Sequence, residues 1–186
     1  MNITIVGLGK SGISAINFLA RTNKNNKIFV SESNLKQKDL LTNMKNDGLI
    51  EDFELSEHTE KIYKDRDLIV LSPGVNTNLP ILNEDKYKHI EMISELELGY
   101  SALADKTQNI IAVTGTNGKT QTVHLLHHIL KNFNKTSYLC GNVGTPITEI
   151  ADSTDEDSFV VVEVSSYQLE KIDKFFAKSA TVLNVT

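Results

Sequence analysis

The chain has 186 residues, a formal net charge of −5 and an apolar fraction of 40%, which is ordinary for a globular protein able to bury a core. The acidic balance argues against nucleic acid or an anionic membrane surface as a partner, because both demand a basic face. Cys140 is the only cysteine, so no internal disulfide can form. The start Met1-Asn2-Ile3-Thr4-Ile5-Val6-Gly7 lacks the charged and long apolar regions of a signal peptide, and no apolar run approaches the roughly 20 residues that span a bilayer. A cytoplasmic protein is expected, with no membrane partner and in the monomeric state.

Short apolar runs alternate with amphipathic stretches, the pattern of an α/β protein with a mainly parallel sheet. The first strand is expected at Ile3–Val6, followed by a glycine-rich turn and a helix over Ile13–Ala20. A strand at Ile28–Val30 ends in Ser31-Glu32, and a helix follows near Asp39–Lys45. A weak strand near Phe53–Leu55 precedes a clear one at Leu68–Leu71, which Ser72-Pro73-Gly74 stops with turn chemistry. Ile90–Ile93 closes this first unit. Ser94 with Glu97 reads as a capping box opening a helix that runs to about Ala104. A second βαβ unit begins with the strand Ile110–Val113, and Val123, Leu126, Leu130 and Phe133 recur at helical spacing. Further strands are expected near Ser137–Leu139, Phe159–Val164 and Ala180–Val185. The chain stops after that last apolar strand with no closing helix, so the second domain is expected to be incomplete.

The strongest motif is Thr114-Gly115-Thr116-Asn117-Gly118-Lys119-Thr120, between an apolar strand and an amphipathic helix. In that context backbone N–H groups and the helix N-terminus stabilise phosphate oxygens. Lys119 would reach the β- and γ-phosphates of ATP, and the Thr120 hydroxyl would ligate magnesium. Only Arg21 and Arg66 are present, so phosphate recognition leans on amides and lysine rather than arginine forks. The loop is a variant, because the outer glycine of the usual P-loop falls on Val113. Against it stands a plain glycine-containing turn with a surface lysine.

Glu163 ends the apolar run Phe159-Val160-Val161-Val162. A carboxylate there, at the carboxyl end of a buried strand, is costly unless a cation or hydrogen bonds compensate it, so it reads as the magnesium partner of the phosphate loop. The bland alternative is a rim glutamate facing water. Gly7-Leu8-Gly9-Lys10-Ser11-Gly12 is a G-x-G-x-x-G with Glu32 about twenty residues on. Taken alone it fits a nicotinamide dinucleotide, the diphosphate of a nucleotide-sugar, or a purely structural tight turn. His124, His127 and His128 lack a third ligand or a glutamate base at zinc-site spacing and read as a solvated helix face. Asn134-Lys135-Thr136-Ser137 lacks the aspartate of a guanine-reading motif, which argues against a GTP switch.

Together with Ser72-Pro73-Gly74, Gly141-Asn142-x-Gly144-x-Pro146, Glu163-x-Ser165-Ser166-x-Gln168-Leu169-Glu170 and Asn184-Val185-Thr186, these motifs make the chain resemble the Mur ligases of bacterial cell-wall synthesis, in their D-glutamate-adding branch. The resemblance implies an α/β chain, with a Rossmann-like N-terminal domain at 1–93 that binds the UDP substrate. An incomplete P-loop ATPase-type central domain at 94–186 would bind ATP and Mg2+. It implies UDP-N-acetylmuramoyl-L-alanine and D-glutamate as substrates, joined through an acyl phosphate in peptidoglycan synthesis.

On the same resemblance Lys119, Glu163 and Asn142 would serve catalysis, Thr120 and Glu163 would hold the metal, and Gly115, Thr116, Asn117, Gly118, Lys119, Thr120 and Gln121 would bind ATP. Gly9, Lys10, Ser11, Ser31, Glu32, Ser72, Pro73, Gly74, Asn142 and Ser165 would contact the UDP substrate. Gln121 departs from the Thr or Ser common at that position, and the family's acidic residue, histidine and modified lysine beyond Thr186 are not in this sequence, so the chain alone is expected not to complete the ligation. An NAD(P)-dependent oxidoreductase and a non-catalytic UDP-sugar-binding module are the competing readings.

Overall fold

β1 (Asn2–Val6) and β4 (Leu68–Leu71) are inner strands of the first sheet, and their apolar side chains have nowhere to go but inward. Ile3, Ile5, Val6, Ile69 and Val70 are almost wholly buried, as expected of parallel strands covered on both faces. The computed structural model describes residues 1–76, 79–103 and 105–186. The chain divides into two compact units, Met1–Glu95 and Leu96–Thr186.

In the first unit, β1 leads to α1 (Lys10–Thr22), β2 (Lys27–Glu32), α2 (Lys38–Asn46), β3 (Asp52–Leu55), the single turn α3 (Glu60–Tyr63), β4, two 3-10 turns at Pro80–Asn83 and Asp85–Tyr87, and β5 (Glu91–Ser94). The five strands run parallel in the order β3-β2-β1-β4-β5. Chain order therefore reverses at β1, and the crevice at the carboxyl ends of β1 and β4 is a topological switch point where ligands bind in such sheets. Ile62, Tyr63, Ile69, Leu71, Ile81 and Tyr87 form one core cluster with Val6. The buried Thr4 is satisfied by donating to the Ile62 carbonyl at 2.5 Å.

The second unit holds nearly all of α4 (Glu95–Leu103), then β6 (Asn109–Thr114), α5 (Lys119–Asn132), β7 (Ser137–Gly141), α6 (Ile147–Ile150), β8 (Phe159–Glu163), α7 (Ser166–Leu169) and β9 (Ser179–Val182). Its parallel order is β7-β8-β6-β9. β8 thus lies directly beside β6, with Glu163 in register with Val113 and Val164 N–H bonded to the Val113 carbonyl at 2.9 Å. Val113, Val123 and Val161 form a core cluster against which Leu126, Leu130, Leu139 and Leu183 pack.

Two expectations change. The strand expected over Ala180–Val185 ends at Val182. Beyond it the partner strand β6 has already ended, and the chain bonds the loop between β6 and α5 instead: Leu183 N–H reaches the Thr114 carbonyl and Asn184 O accepts from Thr116 N–H, both at 2.9 Å. Ser94 ends β5 and immediately precedes α4 at Glu95, so it stands at the N-cap position with Glu97 three residues on, as expected. The Glu97 carboxylate accepts the N–H groups of Asp173, Lys174 and Phe175 at 3.1, 2.9 and 2.9 Å. The expected end of α4 at Ala104 lies outside the described residues. Finally, α3, α6 and α7, each of four residues, went unforeseen because a single turn carries no helical period.

Candidate functional site

The turn after β1 shows a different physical reason for each glycine of its motif. Gly7 adopts φ +86°, a left-handed conformation that favours glycine. A Cβ on Gly12 would lie 2.2 Å from the Gly7 carbonyl oxygen and 2.8 Å from Ser72 Oγ, so α1 packs against the turn only because no side chain intervenes. A Cβ on Gly9 would meet nothing within 4 Å. That open space faces any group approaching the backbone, which is the role of the middle glycine in diphosphate turns.

The turn borders a cleft of about 380 Å³ within the first unit, lined among others by Gly9, Ser31, Glu32, His58, Ser72 and Asn76. Pro73 and Gly74 also line it, whereas Lys10 and Ser11 do not; they open α1 beside it. Glu32, 7% exposed, accepts from the backbone N–H of Leu8 and from Asn34 N–H at 2.6 Å, so its carboxylate ties the end of β2 to the glycine turn. Ser72 donates to the Gly7 carbonyl at 2.8 Å and braces the same turn from β4.

Ser31 is fully buried and bonded to Glu54 Oε1 at 2.9 Å and His58 Nδ1 at 2.6 Å. Tyr63 completes the cluster, 3.2 Å from His58 Nδ1. Burial pushes its phenol up to about 12, and the neighbouring Glu54 charge adds to the rise against a lowering hydrogen bond from Ser31. His58 was not foreseen as a cleft residue, because it falls in a polar stretch without motif or period.

The second cleft, about 420 Å³ within the second unit, is lined by Gly115, Thr116, Lys119, Asn142, Ser165 and Asn184 among others. Gly118 caps α5 at φ +87° and turns the loop into the helix. Thr120 Oγ1 donates to Glu163 Oε2 at 2.8 Å, and Asn142 Nδ2 donates to Glu163 Oε1 at 2.9 Å. Glu163 is only 2% exposed, so these two bonds are what makes its burial tolerable. Asn142 is doubly tied to that strand, because its N–H also bonds the Glu163 carbonyl at 2.8 Å. The approach works because Gly141 has no side chain: a Cβ there would sit 2.3 Å from Glu163 O.

Lys119 Nζ folds back onto the carbonyls of Gly115 and Thr116 at 2.6 and 3.1 Å. Gln121 is exposed on α5 and does not line the cleft. Ser165 is the cap of α7, in a capping box whose other half is Gln168. Gln168 is 2% exposed, and its Nε2 makes no hydrogen bond among the described residues. This orphaned donor was missed as a site candidate, although the Ser-x-x-Gln spacing at Ser165 carried a capping signal.

Residues 1–94 match the Mur ligase MurD-like N-terminal domain, and residues 113–186 match the Mur ligase middle domain. The chain belongs to the Mur ligase family. Among curated relatives, it is 36% identical over 184 residues to a UDP-N-acetylmuramoylalanine–D-glutamate ligase of Lachnoclostridium phytofermentans, covering 99% of this chain and 40% of the relative. It is 39% identical over 188 residues to the ligase of that name in Elusimicrobium minutum, covering 98% and 40%. The chain thus spans about 40% of the length of these Mur ligase relatives. A solved UDP-N-acetylmuramate–alanine ligase from Thermotoga maritima shares the fold, with a TM-score of 0.53 at 22% identity over all of this chain and 41% of that one. The α/β architecture with two parallel sheets is therefore that of the Mur ligases.

Proposed function

We propose that the chain carries the nucleotide-substrate and ATP sites of a ligase that adds D-glutamate to UDP-N-acetylmuramoyl-L-alanine in peptidoglycan synthesis. The observation that carries this reading is the contact of Thr120 and Asn142 with the buried Glu163, beside Lys119. A hydroxyl and a carboxylate held together at the mouth of a helix N-terminus are the donor set that a magnesium ion beside ATP phosphates calls for. The residues fit both groups. The relatives' names, each a UDP-N-acetylmuramoylalanine–D-glutamate ligase, supply the substrate pair.

In this reading Thr120 and Glu163 hold the metal, and the N-terminal amides of α5 with the Lys119 ammonium hold the phosphates. ATP, when bound, would supply the phosphoryl group that converts the substrate carboxylate into an acyl phosphate, with ADP as leaving group; the amine of D-glutamate then attacks the acyl carbon and inorganic phosphate leaves. Lys119 leaves its two carbonyl partners to neutralise charge building on the transferred phosphoryl oxygens. Asn142 orients the substrate next to Glu163, and the buried Gln168 offers as a further donor its Nε2–H, which has no partner among the described residues. In the first unit, the amides around Gly9 and the helix start at Lys10 receive the UDP diphosphate, with Ser31, Glu32 and Ser72–Gly74 shaping the surrounding cleft.

Calorimetry on the 186-residue chain tests both halves. We expect saturable, magnesium-dependent ATP binding that Lys119→Ala weakens at least about tenfold, together with binding of UDP-N-acetylmuramoyl-L-alanine but not of NADH. Unchanged ATP affinity in the Lys119 variant would overturn the phosphate-loop reading. Saturable NADH binding in place of the UDP substrate would return the first unit to the oxidoreductases.

A further inference from the structure

The phosphate loop is not held by its own residues alone. After β9 the chain runs alongside it, and Asn184 meets it at three points. Asn184 O accepts from Thr116 N–H at 2.9 Å. Its side-chain Oδ1 accepts from Asn117 N–H at 2.8 Å, and its Nδ2 donates to the Asn117 carbonyl at 3.0 Å. The side-chain amide thus acts as one more residue of parallel strand, continuing the pairing that began between β6 and β9. Gly115 makes the approach fit: at φ +139° its missing Cβ would lie 3.0 Å from Asn184 O.

This pairing divides the loop's amides into two sets. Thr116 and Asn117 N–H are both taken by Asn184. The N–H groups of Gly118, Lys119, Thr120 and Gln121 have no acceptor among the described residues; the first bond from this turn is Thr122 N–H to the Gly118 carbonyl at 3.0 Å. Unpaired donors at a helix start are the ones an anion takes.

We infer that Asn184 is a positioning residue for ATP: its amide clamps Asn117, consumes the N–H groups of Thr116 and Asn117, and reserves those of Gly118 to Gln121 for phosphate. The inference rests on the proposed ATP site and goes beyond it by stating which amides do not bind phosphate. It also accounts for the variant loop. A loop whose outer glycine is replaced by the buried Val113 is fastened from outside, by a residue 67 positions away.

Amide hydrogen exchange followed by NMR, with magnesium and a non-hydrolysable ATP analogue as the probe, tests this on the unaltered chain. Without ligand, the Thr116 and Asn117 amides should be protected and those of Gly118 to Gln121 should exchange freely. On adding the probe, protection should appear at Gly118 to Gln121 and leave the first pair unchanged. New protection or large shifts confined to Thr116 and Asn117 would overturn the assignment. No binding of the probe at all would instead overturn the ATP site on which it rests.

Asn184→Ala supplies the second arm. Losing two hydrogen bonds should weaken the analogue by about tenfold and release the Asn117 amide to exchange, with the UDP-substrate affinity of the first unit unchanged. Asn184→Asp keeps the acceptor for Asn117 N–H but loses the donor and brings negative charge beside the phosphates, so it should bind the analogue no better than the alanine variant. An alanine variant that keeps analogue affinity within twofold, or keeps Asn117 protected, refutes the clamp. If the alanine variant unfolds, the exchange pattern of the unaltered chain decides alone.

Discussion

Thr120 donates its hydroxyl proton to Glu163 across 2.8 Å although 43 positions separate the two residues. The bond joins the first turn of α5 to the end of β8, and it exists because β8 pairs directly with β6 in register Val113 to Glu163. Asn142 closes the other side of the same carboxylate at 2.9 Å. A buried carboxylate fixed by two donors would reorganise little if a cation took the place of a proton donor, which favours the proposed role of Glu163 as a metal ligand.

Glu163→Gln tests that role without opening a cavity. The amide keeps shape and one acceptor oxygen but loses the charge. Magnesium-dependent ATP binding should fall at least about tenfold, while ATP binding without magnesium stays near its unaltered value. Calorimetric titrations with and without the metal separate the two, and an unchanged magnesium response would dismiss Glu163 as a ligand.

Gly12→Ala and Gly9→Ala should part ways. The first places a methyl 2.2 Å from the Gly7 carbonyl, a backbone clash that should cost about 1–3 kcal/mol of unfolding free energy in the first unit. The second enters open space, so stability should change by less than about 0.5 kcal/mol while UDP-substrate affinity falls. Denaturant titration and ligand calorimetry on both variants check the contrast. Equal destabilisation by the two would contradict the separate roles drawn from the geometry.

Glu97→Ala removes the acceptor shared by Asp173, Lys174 and Phe175 N–H. We expect a loss of about 2 kcal/mol, because donors left without a partner cost more than a made bond returns. Exchange of those three amides should accelerate together. Glu97→Gln retains an acceptor oxygen and should recover part of the loss; a variant series with no such order would show that the carboxylate does not pin this loop.

Tyr63 should be a late phenol in an alkaline ultraviolet titration, ionising near 12 rather than the usual 10.0, and burial raises Tyr87 as well. Because the folded value is raised, its contribution to stability is fully present below the unfolded value. It is lost as pH climbs through 10 towards 12. Tyr63→Phe should delete one late-ionising phenol and flatten stability loss in that window. A titration curve unchanged by the substitution would refute the burial argument.

The strands were legible because inner strands of both sheets are apolar runs, and Leu68–Leu71 and Phe159–Glu163 could hardly be anything else. The glycine-containing loop after β6 and Glu163 stand out in the sequence for a related reason: each breaks an apolar pattern at a strand's carboxyl end. The Ser-x-x-Gln at Ser165 forms a capping box that opens α7, and the Ser-x-x-Glu at Ser94 stands directly ahead of α4. Glu97 faces a loop more than 70 residues downstream, and no local pattern announces such a partner.

Residue order alone determined the two βαβ units, the glycine turn at Gly7–Gly12, the loop at Gly115–Thr120 and the Mur ligase resemblance, since all of these are short-range properties of neighbouring residues. Tertiary structure alone decided that Asn184 takes the Thr116 and Asn117 amides, that His58 and Ser31 meet at the rim of the first cleft, and that Gln168 keeps a buried donor without a partner among the described residues. Each depends on which strands lie side by side, and that choice is made by packing the whole sheet rather than by any stretch of chain.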